Sequence, residues 1–109
     1  MKTAVGLTVF LALFSLSSWS QDIDYDKRNM HIFCASHLTV IGDSVDEKDE
    51  HYRALVFMAD MHRDEARKLG ATKKNFDDVE VYLKKVRSNS PQKWNRLTSQ
   101  SEKVCVPTS

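Results

Sequence analysis

Apolar residues recur at steps of three and four along almost the whole chain after residue 22, and each run is bounded by residues that start or stop helices. Met30, Phe33, Cys34, His37, Leu38 and Ile41 form the first run, entered through Asp22, Asp24 and Asp26 and stopped at Gly42. Ser44 and Glu47 have the spacing of a capping box, which predicts a second helix running to Leu69 and ended by Gly70. Asn75 is the expected cap of a third helix, with Asp77 and Asp78 near the positive end of its dipole and Phe76, Val79, Tyr82, Leu83 and Val86 facing inward. Ser90 followed by Pro91 starts a fourth, with Trp94, Leu97, Ser101, Val104 and Cys105 inward and Pro107 as its end. No stretch has the period-two alternation that strands require. The fold class expected is all-α, a compact four-helix bundle-like domain with one disulfide.

The second helix carries more apolar surface than one buried stripe accounts for. Tyr52, Leu55, Val56, Ala59, Ala66 and Leu69 share one face, whereas Phe57, Met58 and Met61 lie well around the circumference. Packing between several neighbours inside the bundle is the expectation. If that trio is instead exposed, it becomes a partner-binding patch, with a homodimer as one use of it.

Residues 1–20 read as a secretory signal peptide: Lys2 is followed by 13 residues of apolar character from Ala4 to Leu16 and by Ser18-Trp19-Ser20 before a polar Gln21-Asp22. A spanning helix needs about 20 such residues, so a membrane anchor fits less well. The domain then comprises 21–109, exported to the periplasm or secreted, and a chain this small calls for an additional constraint. Cys34 and Cys105 are the only cysteines, and an oxidising compartment permits their pairing. The rival readings are two free thiols or a bridge to a second chain. Joined within one chain, they close a loop of roughly seventy residues, for which chain-entropy models give roughly 4 kcal/mol.

Charge is divided unequally along the exported part. From Gln21 to Glu65 there are 11 acidic and 5 basic residues, and from Ala66 to Ser109 there are 4 acidic and 10 basic. The two halves either attract one another within the fold or steer a charged partner. The basic residues are dispersed and have no aromatic-rich strands among them, which argues against nucleic acid.

Three groups have the residue types of a reaction or metal centre. His31, Cys34 and His37 fan over part of one helical face, but a fourth ligand is not evident and oxidation removes Cys34 as a thiolate, so partly buried histidines are expected and no metal. Asp60, His62, Asp64 and Glu65 put carboxylates beside a histidine without any nucleophile motif, and Arg63 and Arg67 are available to pair with them. Asp43, Asp46, Glu47, Asp49 and Glu50 lack the central glycine and spacing of a calcium loop, and helix capping explains them better. Gly42 and Gly70 stand at helix ends, leaving no phosphate-cradling loop. The expectation is a binding module, not an enzyme, without cofactor.

The signal segment, the single cysteine within His31-Ile-Phe-Cys34-Ala and the late cysteine in Glu102-Lys-Val-Cys105 resemble small two-cysteine helical immunity proteins of the Gram-negative periplasm, which protect against type VI secretion effectors. The Vibrio inhibitor of a lysozyme-like spike effector is one of these. The likeness is architectural and transfers no motif residue. It implies a protein partner, a peptidoglycan-degrading muramidase whose cleft is occluded. Partner-binding residues on that reading are Phe57, Met58, Met61 and His62, or the acidic turn with Asp43, Asp46, Glu47 and Glu50 set against a basic rim. A periplasmic acid or stress chaperone and a small-ligand-binding helical protein are the alternatives.

Overall fold

The computed structural model describes residues 23–106, and these form four helices joined by short turns: α1 (Tyr25–Gly42), α2 (Glu50–Lys68), α3 (Lys73–Asn89) and α4 (Pro91–Val104). The expected signal segment, the start at Gln21 and the terminating Pro107 lie outside the described residues. Within them there is no strand, and no helix is long and apolar enough to cross a membrane.

The helix that packs between several neighbours is α1, not α2. His31, Ile32, Cys34, Ala35, Ser36, His37, Leu38 and Val40 are all buried, so α1 is enclosed on more than one side and touches each of the other three helices. The backbone of α2 approaches α1 alone. This corrects the expectation from the apolar surplus of the second helix. Ile32, Ala35, Ser36 and Val40 supply the additional buried face of α1, and two of them, Ala35 and Ser36, are small, which weakens the hydropathy signal of that face.

Two apolar clusters flank α1. Ile32 and Ala35 meet Ala66 of α2 and Phe76 of α3, with Ala71 and Val79 at the margin. Cys34 and Leu38 meet Ala59 and Cys105, bordered by Met30, Phe33, Leu55 and Met58. The Cys34–Cys105 disulfide runs through the second cluster and ties the middle of α1 to the C-cap of α4. Tyr82 and Val104, expected inward, are 48% and 46% exposed because α3 and α4 each bury a single narrow stripe.

The helix starts differ from expectation at two places. Asp49 caps α2 by accepting from the backbone N–H of His51, while Ser44 accepts instead from Arg87 Nη1 at 3.1 Å; the Ser44–Glu47 box does not form. Thr72 caps α3, with the Thr72 N–H donating to Asn75 Oδ1 at 2.8 Å and the Asn75 N–H returning to Thr72 Oγ1 at 3.4 Å. Asn75 is therefore the third helical residue of a reciprocal box, not the cap itself. Ser90 and Pro91 start α4 as expected. Replacing Thr72→Ala is expected to lower stability by about 1 kcal/mol, or about 4–8 °C in Tm by calorimetry, whereas Ser44→Ala should leave the helicity of α2 unchanged.

Candidate partner-binding surface

Because α2 packs on one side only, its outer face stays open. Phe57 is 70% exposed, with Val56 at 38% and Met61 at 37% beside it. Phe57 and Met61 are one helical turn apart and so lie on one face. Met58 is half-buried against the second apolar cluster, and His62 is buried beneath the helix, so neither joins Phe57 on the outer surface.

Next to this face, between α1 and α2, lies a groove of about 170 Å³ with Leu38, Gly42, Val56 and Ala59 as its apolar lining and Asp43, Asp60, Tyr52 and Arg63 around them. Arg63 is held by two contacts, donating to Asp60 Oδ1 at 2.6 Å and to Thr39 Oγ1 at 3.1 Å, and its guanidinium lies 5.7 Å from the Phe76 ring centre. Glu65 on α2 pairs with Lys68 at 3.2 Å. Among the described residues no carboxylate bonds to His62 to orient it as a base. Its hydrogen bonds run to another histidine and to a backbone carbonyl.

The acidic turn between α1 and α2 reaches the groove through Asp43. Asp43, Asp46, Glu47, Asp49 and Glu50 are all exposed. Asp49 serves the helix start, and the backbone N–H of His51 bonded to it holds its carboxyl below the usual range. Asp46 accepts from the Lys48 N–H at 3.0 Å, and Asp43 lies 3.8 Å from Lys84. Glu80 on α3 adds a further carboxyl; burial raises its pKa, against the pull of Arg63 and Lys84. The surface thus combines an aromatic prominence, a groove edged by Asp43, Asp60 and Arg63, and an exposed acidic turn.

The histidines of the first group are separated by the fold. His37 is fully buried, stacked on Phe33 at 5.3 Å and tilted against Trp94 at 4.8 Å, with Thr98 Oγ1 at 3.3 Å from its Nε2. Burial pushes its pKa down to about 4, and its Nδ1 has no hydrogen-bond partner among the described residues. His31 turns the other way and meets His62 of α2, Nδ1 to Nδ1, at 2.9 Å. Cys34 between them is consumed by the disulfide, so the three residues do not converge on a common point. Among the described residues no group of three or more His, Cys, Asp or Glu is arranged to hold a metal ion.

Sequence reasoning missed the His31–His62 pair and the place of Glu80 near Arg63 and Lys84. Neither has a local signal, since each depends on which helix faces which. Comparison with protein-family models, with curated proteins and with solved structures finds no match to this chain.

Proposed function

We propose that this chain is an exported protein-binding module, and that its partner is a peptidoglycan-degrading hydrolase of the muramidase type, against which it acts as an immunity protein in the periplasm. The observation that supports this reading is Phe57, a large aromatic 70% exposed on a helix whose outer face nothing among the described residues covers. Aromatic anchors contribute most of the affinity at protein interfaces, and a negative rim selects a positive counterpart and speeds encounter. Phe57 and Met61 enter the partner's cleft, while Asp43, Asp46, Glu47 and Glu50 face basic residues at its edge. Because a glycan hydrolase works with carboxylates inside a cleft, occupation of that cleft excludes substrate without any chemistry by the inhibitor.

Titration into purified lysozyme-like muramidases, read by clearing of a peptidoglycan suspension, tests the proposal. Inhibition of one enzyme with a stoichiometric endpoint is expected, weakened by about 30-fold or more in Phe57→Ala, since an anchor of this type is worth at least about 2 kcal/mol. Tyr82→Ala, on the exposed side of α3, should inhibit like the wild type. Absence of inhibition together with suppressed aggregation of many acid-shocked clients would instead identify a chaperone.

A further inference from the structure

We infer that His31 and His62 form a proton-counting latch between α1 and α2, oriented by the Cys105 carbonyl at the end of α4, closed while the pair carries no more than one extra proton and opened by the second. Both rings are buried, at 8% and 6% exposure, and both are engaged. His62 Nε2 lies 2.7 Å from the Cys105 carbonyl, which can only accept, so Nε2 of His62 must carry hydrogen. In the neutral ring Nδ1 is then a lone pair. His31 Nδ1 lies 2.9 Å from it and must be the donor. The tautomers of both histidines follow from one carbonyl.

One added proton leaves this chain of bonds intact. It can sit on His31 Nε2 while Nδ1 continues to donate, which makes the contact charge-assisted. A second proton places an N–H on both facing Nδ1 atoms. Two donors at 2.9 Å have no acceptor between them, and both rings are then charged. The contact opens, and α2 loses this bond to α1 while His62 Nε2 goes on donating to the Cys105 carbonyl. Burial and the neighbouring His62 both depress protonation of His31. Glu65 on α2, itself held by Lys68, favours the charged ring, and Lys27 on α1 opposes it. From the α4 side the facing group is the uncharged Cys105 carbonyl. The latch therefore makes the seating of α2 on α1 dependent on acidity.

Hydrogen exchange of the oxidised full chain, compared by peptide at about pH 7.5 and about pH 4.5 and corrected for intrinsic rates, tests this. Peptides of α2 should lose protection at least about tenfold more than peptides of α3 on acidification. In His62→Gln the side-chain amide can donate to the Cys105 carbonyl and accept from His31 but cannot take up a proton, so the difference should shrink to within about threefold. Parallel loss in α2 and α3, or a His62→Gln response equal to the wild type, would overturn the latch. Nitrogen-15 imidazole spectra of the wild type at neutral pH give a second reading that needs no variant. Nε2–H on His62 with Nδ1–H on His31 is expected, and the reverse pair of tautomers contradicts the proposal.

Discussion

Cys34→Ala/Cys105→Ala is expected to be the most damaging change in this molecule, lowering stability by about 4 kcal/mol and Tm by about 15–30 °C. The cysteines are 71 residues apart, so the bond removes a large share of the freedom of the unfolded chain. Alanine is the informative replacement because both sites are buried and apolar, and a serine hydroxyl there would add an unrelated cost. Domains of this size are held by only about 5–15 kcal/mol in total. The variant should therefore have lost much of its helical circular dichroism at about 37 °C. A change in Tm below about 5 °C would mean that packing around α1, without the bond, holds the helices.

The second large effect is acid destabilisation through His37. Its pKa is about 4 in the folded protein against an ordinary value of 6.5, because burial between Phe33 and Trp94 disfavours the charged ring. The unfolded chain therefore takes up a proton at higher pH than the folded one. Stability is complete above pH 6.5, declines as pH falls towards 4 and levels off below that. The total loss over that window is about 3 kcal/mol, or more than about 10 °C in Tm. Protonation also places a donor on Nδ1, which has no partner among the described residues. Urea denaturation across this range, wild type against His37→Phe, checks the sign and size. The variant should lose less on acidification by about the same 3 kcal/mol, and identical slopes in the two proteins would remove His37 as the cause.

The helices were legible in the sequence because their buried stripes are local. Trp94 and Cys105 on α4, or Phe76, Leu83 and Val86 on α3, follow the helical period directly, and Ser90-Pro91 marks a boundary by backbone chemistry alone. Caps were less legible because several residues near each start can accept the same N–H. Ser44 had the right spacing, but Arg87, 43 residues away, takes its hydroxyl, and Asp49 does the capping. Thr72 was missed because its reciprocal partner is Asn75 where a Glu or Gln is the usual signal.

What the sequence could not convey was the identity of the central helix. Phe57, Met58 and Met61 make α2 look buried, whereas α1 buries a second face of Ile32, Ala35, Ser36 and Val40 in which the small Ala35 and Ser36 interrupt the apolar pattern. The same non-local information decides the candidate surface. Phe57 and Met61 were identifiable as surplus to one stripe, but only the absence of a neighbouring helix among the described residues on the far side of α2 leaves them open. His62 was grouped with them by sequence proximity and lies underneath, bonded to His31 and Cys105.

The account depends on an exported chain whose sulfur bridge fixes α1 to α4 and leaves the outer side of α2 free to bind. Intact-mass and peptide mapping of the protein isolated from cell envelopes without reductant tests this most directly. It should return a chain beginning at Gln21 with the Cys34 and Cys105 peptides joined, and isolation of the full chain from the cytosol with both thiols free would contradict it.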